Sequence, residues 1–344
     1  MCQRSIKKER DILFTKEDDI CSERKLTQQE VGELRHKVIS CYKVSPKRGS
    51  DLLEMLQTDV LSTGCYGIDE LLQGGLHPGE ITEISGETAT GKTQLAFSVT
   101  LTTICANKHN KVLFIDTVST FSAERIRTLF LESDRFDHSR EQGMEEDDVM
   151  NRIRIAKCFD VYAVMEFIED MRDHLENKEK DDNVYTNIKL IIIDSFAAIF
   201  SPLLGVTQTQ GHSLMITLTR ILRNLAKEYN IAVLMINAAI ASKPNNPISV
   251  FSSTKSKPSL GMSWTFMPDI QLYLTHCIED KIVIKENEGE NNIQQDYVYT
   301  NRKKIEVIMK PRICEVLRSR NGQMGKWCIF YMGGNELFTH YDIL

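Results

Sequence analysis

The feature that most constrains this chain is the octapeptide GETATGKT at residues 86–93, which follows an apolar β-type run and precedes a helical stretch. It fits the pattern G-x-x-x-x-G-K-[ST]. Glycines let such a turn form without side chains in the way, and its consecutive backbone N–H groups surround a polyphosphate. The N-terminus of the following helix adds partial positive charge. The pattern therefore predicts a strand–loop–helix unit that binds the phosphates of a nucleotide.

Residue types within and beyond the octapeptide predict the roles of individual side chains. Lys92 would reach the β- and γ-phosphates, and the Thr93 hydroxyl would ligate Mg²⁺. A site of this kind also needs a carboxylate at the end of a neighbouring strand. Asp194 ends the aliphatic run 190–193 and is the preferred candidate, with Asp116 as its competitor. The predicted nucleotide-binding residues are Gly86, Glu87, Thr88, Ala89, Thr90, Gly91, Lys92, Thr93 and Gln94.

Short apolar runs alternate with longer helical stretches from about residue 61 onward. This alternation predicts an α/β fold with a largely parallel sheet that helices cover on both faces. The predicted strands are residues 80–85, 111–116, 152–156, 189–194, 231–237 and 270–274. The predicted helices are residues 92–106, 122–131, 161–175 and 211–229. Residues 304–309 and 327–331 are predicted as two further strands with a basic connection between them.

The domain prediction divides the chain near residue 50. Residues 1–50 are expected to form a short helical segment and a linker, because Thr27 and Glu30 match a capping box ahead of apolar residues at helical spacing. Residues 51–344 are expected to form the ATPase core. Within it, residues 132–148 and 279–301 are polar or charged and are predicted to be solvated surface insertions.

Composition limits the classes of function that fit. The net charge of −6 is unlike that of a protein held to nucleic acid by bulk attraction, so any contact with nucleic acid needs a local basic patch or partner proteins. Nine scattered cysteines without a Cys-x-x-Cys pair indicate reduced thiols in an intracellular protein and argue against a structural zinc site. The longest aliphatic run, residues 190–193, is too short to cross a bilayer.

Three segments resemble one protein family. Residues 61–94 (LSTGCYGIDELLQGGLHPGEITEISGETATGKTQ) resemble the entry to the ATPase core of the RecA/RadA recombinase superfamily. Residues 190–205 (LIIIDSFAAIFSPLLG) and 257–274 (KPSLGMSWTFMPDIQLYL) are similar to later motifs, in forms closest to the D-type paralogue branch of the eukaryotic strand-exchange recombinases. The resemblance implies a RecA-like P-loop ATPase core with ATP and Mg²⁺ as cofactors. It also implies a nuclear role in homologous recombination, in hetero-complexes with other recombinase paralogues on single-stranded DNA.

Departures from the family pattern concern hydrolysis and self-assembly. The family has a water-positioning Glu in D-T-E-G-T-F, whereas this chain has Val118 in DTVSTF, and Ala238 replaces a sensor glutamine. Arg125 matches the arginine that flanks adenine in the family. The linker at residues 42–50 lacks the family's Phe-x-x-Ala motif. The departures imply weak ATP hydrolysis, with no catalytic residue assigned, and argue against self-polymerisation through the linker.

A basic stretch is the candidate contact with DNA. Residues 239–262 contain no acidic residue and include Lys243, Lys255 and Lys257 with Phe251 between them. Lysines with an aromatic side chain fit a single-strand contact by charge and stacking. A flexible loop without such a role is the alternative.

Four functions remain open at this point. The preferred one is an ATP-binding accessory subunit for recombination and double-strand break repair. The alternatives are a self-sufficient strand-exchange recombinase, an unrelated P-loop kinase or helicase-like ATPase, and a scaffold with a vestigial P-loop.

Overall fold

The computed structural model describes residues 11–41, 48–50, 60–176, 184–204, 208–241, 256–261, 263–276, 299–300, 303–304, 310–334 and 336–339. Its contacts divide the chain into two units, Met1–Thr58 and Asp59–Leu344.

The described residues of the first unit are largely helical, as the sequence predicted. Its longest helix begins with the predicted capping box, in which the Thr27 N–H donates to Glu30 Oε2 at 2.8 Å and the Glu30 N–H donates to Thr27 Oγ1 at 3.3 Å. Buried apolar side chains at Ile12, Ile20 and Val31 form its small core. Its helices are α1 (Asp11–Phe14), α2 (Glu17–Arg24) and α3 (Gln28–Cys41).

A nine-stranded sheet dominates the second unit. Its strands are β1 (Ile81–Gly86), β2 (Lys111–Asp116), β3 (Ile153–Lys157), β4 (Ile188–Asp194), β5 (Ala232–Ile236), β8 (Ile270–His276), β11 (Lys310–Ser319), β12 (Trp327–Gly333) and β13 (Glu336–Thr339). The spatial order is β13-β12-β11-β8-β1-β5-β4-β2-β3. The six strands from β8 to β3 are parallel, and β11, β12 and β13 extend the sheet with antiparallel pairing.

Helices cover both faces of this sheet, so successive apolar side chains of a central strand pack into cores on opposite faces. In β4, Leu190 and Ile192 belong to the core on one face, whereas Ile191 and Ile193 belong to the core on the other. The helices of the second unit are α4 (Tyr66–Leu71), α5 (Lys92–Ala106), α6 (Ala123–Glu132), α7 (Asp137–Glu141), α8 (Glu146–Met150), α9 (Val161–Glu176), α10 (Phe196–Leu204) and α11 (Gln208–Tyr229). The predicted α/β class, with a largely parallel, helix-covered sheet, is confirmed. Within the described ranges, no helix combines the length and the apolar character needed to cross a membrane.

Residues 132–148 are exposed or partly exposed apart from the buried Ser133 and Phe136, and they contain short helical turns. One local prediction is corrected. The segment expected to be a basic connection is instead the strand Lys310–Ser319, whose residues 313–317 are buried. Of the predicted strand 304–309, residues 305–309 lie outside the described residues. So does most of the predicted insertion 279–301, from which Tyr299–Thr300 (β9) pairs with Lys303–Lys304 (β10).

Candidate nucleotide-binding site

The phosphate motif forms the turn between the end of β1 and the start of α5. The backbone of this turn takes left-handed conformations at Ala89 (φ 63°) and Gly91 (φ 99°). Gly91 also has no room for a side chain, since a Cβ there would collide with the sulfur of Met332. The loop lies at the carboxyl end of a central parallel strand, which is where open α/β sheets bind ligands.

Lys92, the first residue of α5, folds back over the loop. Its Nζ donates hydrogen bonds to the carbonyls of Gly86 at 2.9 Å and Glu87 at 2.5 Å. Burial lowers the pKa of Lys92, and the charges of Asp194 and Glu87 partly offset this. The ammonium group therefore lies within the turn whose N–H groups would surround a phosphate.

The two residues predicted to ligate Mg²⁺ are in direct contact. Thr93 Oγ1 donates to Asp194 Oδ2 at 2.7 Å. Burial raises the pKa of Asp194; the hydrogen bond from Thr93 counteracts this rise and the nearby Asp116 carboxylate adds to it. A hydroxyl and a carboxylate are oxygen ligands of the kind that Mg²⁺ prefers, so this pair fits the ion.

Asp116, the competing candidate, is held by the backbone that follows β2. Its Oδ1 accepts the N–H groups of Val118 and Thr120 at 3.2 and 3.1 Å, and its Oδ2 accepts that of Phe121 at 3.1 Å. Both oxygens therefore stabilise the turn after β2. This arrangement favours Asp194 as the metal ligand.

Val118 lies in that same turn, and 43% of its surface is exposed. An isopropyl group neither accepts a proton nor orients a water molecule. The structure therefore gives the position after β2 no general base.

A cavity of about 340 Å³ adjoins the first turns of α5. The predicted residues Gln94 and Arg125 meet in its wall, where Arg125 Nε donates to Gln94 Oε1 at 2.9 Å and Arg125 Nη2 donates to the Gly334 carbonyl at 2.7 Å. Met332 and Gly333 also line it. The sequence did not indicate residues 332–334, because only the pairing of the last strands brings them to the phosphate loop.

A buried carboxylate close to this site was also missed. Glu83, on β1, is fully buried and accepts hydrogen bonds from Asn237 Nδ2 at 2.6 Å and Gln271 Nε2 at 2.7 Å. Asn237 Oδ1 in turn accepts from the Ser259 hydroxyl at 2.7 Å. Burial raises the pKa of Glu83. The apolar pattern that predicted β1 gave no indication that the acid within it is buried and hydrogen-bonded.

The candidate DNA-contact stretch is described only at its ends. Ala239–Ala241 (β6) pairs antiparallel with Ser256–Pro258 (β7), so the ends form a hairpin stem rather than an irregular loop. Lys257 is exposed on this stem. Lys243, Phe251 and Lys255 lie outside the described residues.

Comparisons with known proteins show which family the sequence resembles. The sequence profile of the family described as Rad51 matches residues 55–304. The chain is 31% identical to "DNA repair protein RAD51 homolog 4" of Bos taurus over 79% of this chain and 78% of the relative. It is 30% identical to the Mus musculus protein of the same name, with the same coverage. It is 27% identical to "Meiotic recombination protein DMC1 homolog" of Arabidopsis thaliana over 72% of this chain and 66% of that protein.

Proposed function

Because this chain belongs to the Rad51 family, we propose that it is an ATP-binding accessory subunit in homologous recombination and double-strand break repair. We place it in the nucleus, in a hetero-complex with other recombinase paralogues on single-stranded DNA. The printed names of its relatives, which refer to DNA repair and to meiotic recombination, support this role.

The observation that carries the proposal is a set of side chains suited to phosphate and Mg²⁺, beside a position that lacks a general base. Lys92, Thr93 and Asp194 converge at the phosphate loop, whereas Val118 stands where the family has its water-positioning Glu. Bound Mg²⁺ would neutralise charge on the β- and γ-phosphates, with Thr93 and Asp194 holding the ion. When ATP binds, the Lys92 ammonium would donate hydrogen bonds to phosphate oxygens in place of the loop carbonyls. The subunit would then hold ATP and hydrolyse it slowly.

Slow turnover gives ATP a structural role. A ligand that binds only the associated form of a complex stabilises that form by mass action. ATP held at a subunit boundary would therefore keep an assembly together for as long as it stays uncleaved.

The contact with DNA is proposed at the hairpin stem and the residues beyond it. Lys257 contributes one positive charge on the stem, and Lys243 and Lys255 add two along the same stretch. Three phosphate contacts give a salt slope of only about −2 on single strands. One subunit would bind weakly, so useful affinity would come from several aligned subunits.

The proposal of hetero-partners rests on the linker and on one edge of the sheet. The linker lacks Phe-x-x-Ala, so this chain cannot self-polymerise through that motif. The strand β3 ends the described sheet on one side, and Phe159 and Tyr162, just after it, are 61% and 55% exposed. An unpaired strand edge beside exposed aromatic side chains suits an extended segment of a partner protein.

Specific observations count against each of the three alternative functions. Family membership excludes the unrelated P-loop kinase or helicase-like ATPase. Val118 and Ala238 count against a self-sufficient recombinase, and the Thr93–Asp194 contact counts against a vestigial P-loop.

The test is to measure Mg²⁺–ATP binding and turnover by the full chain, with and without single-stranded DNA. We expect saturable binding and slow turnover, and we expect Lys92→Ala to weaken binding about tenfold or more, since a charge-assisted hydrogen bond contributes about 1.5–3 kcal/mol. Lys108→Ala, at an exposed position after α5, is the control and should bind normally. Brisk, DNA-stimulated turnover by the unmodified chain would reject the accessory function, and Glu124 would then be the next base to test.

A further inference from the structure

Two side chains from outside the phosphate motif hold the carbonyls of its loop. Arg312 Nη2, on β11, donates to the Ala89 carbonyl at 3.3 Å. His276 Nε2, at the end of β8, lies 3.4 Å from the Thr88 carbonyl. Arg312 and His276 are direct cross-strand partners in the antiparallel ladder. The two strands therefore present a pair of side chains to two consecutive carbonyls.

A contact that fixes the direction of a carbonyl also fixes the direction of the N–H group of the next residue. A trans peptide is planar, and its C=O and N–H bonds point in opposite directions. The contact of His276 with the Thr88 carbonyl thus sets the direction of the Ala89 N–H. The contact of Arg312 with the Ala89 carbonyl does the same for the Thr90 N–H. Phosphate loops bind their ligand through consecutive N–H groups of this kind.

The loop needs such support at this point. Ala89 has a φ of 63°, a conformation that side-chain-bearing residues rarely adopt. Strained backbone of this kind persists only where its surroundings determine it. Within the motif, Lys92 Nζ and Thr90 Oγ1 donate hydrogen bonds to the Glu87 carbonyl, so that carbonyl needs no partner from outside the motif. The carbonyls of Thr88 and Ala89 instead meet His276 and Arg312, which lie 188 and 223 positions further along the chain than the carbonyls they contact.

Arg312 also brings charge to the loop. It is partly buried, and burial lowers the pKa of its guanidinium below the ordinary value. A guanidinium stays cationic under physiological conditions even so. A second fixed positive charge therefore stands next to the loop that carries Lys92.

We infer that Arg312, together with His276, is a positioning residue that orients the backbone N–H groups of the phosphate loop toward the phosphates of ATP. This inference rests on the proposed nucleotide binding. It adds His276 at the end of β8 and Arg312 on β11 to the binding site, although neither belongs to the phosphate motif.

The test measures the affinity of the full chain for Mg²⁺–ATP and for Mg²⁺–tripolyphosphate, a probe without a base. We expect Arg312→Ala to weaken both about five- to tenfold, and His276→Ala to weaken both about two- to threefold. Arg312→Lys, which keeps the charge and one donor, should recover about half of the loss. Arg318→Ala is the matched control: Arg318 is on the same strand and donates to the main-chain carbonyls of Thr265 and Pro268. It should leave both affinities unchanged.

The outcomes separate this inference from the proposed function. A wild-type chain that binds neither probe would reject both. A wild-type chain that binds both, with Arg312→Ala equal to wild type, would reject only the inference. A loss for ATP but not for tripolyphosphate would also reject it, because the effect would then lie in the base cavity. Thermal unfolding of each variant without ligand, expected within about 3 °C of wild type, identifies any variant that is merely unfolded.

Discussion

Thr93 Oγ1 and Asp194 Oδ2 are joined by a 2.7 Å hydrogen bond across a sequence separation of 101 residues. The contact links the first turn of α5 to the end of β4. It brings the oxygens of the two predicted metal ligands within one hydrogen-bond length, and it suggests the first experiment.

Asp194→Asn should reduce the gain in ATP affinity that Mg²⁺ provides by about tenfold or more, because an amide oxygen is a weaker ligand for a hard cation than a carboxylate. ATP affinity measured in Mg²⁺ and in chelator checks this. Asp116→Asn is the matched comparison. It should leave the Mg²⁺ effect in place and lower the free energy of unfolding by about 1–3 kcal/mol, because an amide group would face backbone N–H donors. The opposite pattern would make Asp116 the ligand.

Val118→Glu should raise the rate of ATP hydrolysis. A positioned general base contributes typically 10²–10⁴ in rate, and Ala238 limits the recovery to part of that range. Single-turnover hydrolysis by the full chain measures the effect, and Val118→Gln, of similar size without a base, is the control. Equal rates for the two variants would show that a base at this position does not limit hydrolysis.

The free energy of unfolding of the Glu83→Gln variant should increase relative to that of wild type as pH rises above about 4.5. The raised pKa of Glu83 means that the folded state keeps this proton over a pH range where the unfolded state, at its ordinary value of 4.5, has lost it. Wild-type stability then falls as pH rises through that window, by up to about 1.4 kcal/mol per pH unit from this group. Glutamine carries no such proton, and Gln271 can reverse its amide to accept from the new side chain.

Chemical denaturation between pH 4.5 and 8 measures this difference. Glu141→Gln, at an exposed position, should follow wild type at every pH. If Glu83→Gln also follows wild type, Glu83 is ionised in the folded state over this range.

Replacing Lys243, Lys255 and Lys257 together by Ala should flatten the salt dependence of single-strand binding by the hetero-complex, because fewer counterions are released. Titrations of labelled single strands at several salt concentrations measure the slope. ATP affinity should not change. A preserved slope would move the DNA contact to a partner subunit.

The sequence correctly predicted those elements whose bounds depend on residues close together in the chain. The strand Lys111–Asp116 and the helix Lys92–Ala106 have their predicted bounds, because apolar periodicity and the glycine loop mark both ends. The helix Phe196–Leu204 was missed, since its apolar residues follow β4 directly and Pro202 lies within it. The strand Lys310–Ser319 was mistaken for a connection because it carries Arg312 and Arg318 among its buried residues.

The part of the site that the sequence could not give depends on strand order. Nothing near Arg312 indicates that β11 pairs with β8, and β8 with β1, so the approach of Arg312 to the phosphate loop is visible only in the assembled sheet. Glu83 was missed for a related reason. A lone acid in a buried strand is tolerated only with hydrogen-bond partners, and here Asn237 lies just after β5 and Gln271 lies on β8.

The central place of β1 has a consequence for synthesis. The strand leaves the ribosome before its two neighbours in the sheet, residues 232–236 and 270–276, and before Arg312, whose side chain contacts the Ala89 carbonyl. Pairings that span so much of the chain form late in folding. A nascent chain would therefore carry the complete phosphate motif long before it could bind ATP tightly. Since ligands stabilise the folded state by mass action, ATP would capture chains only after their last strands have joined the sheet.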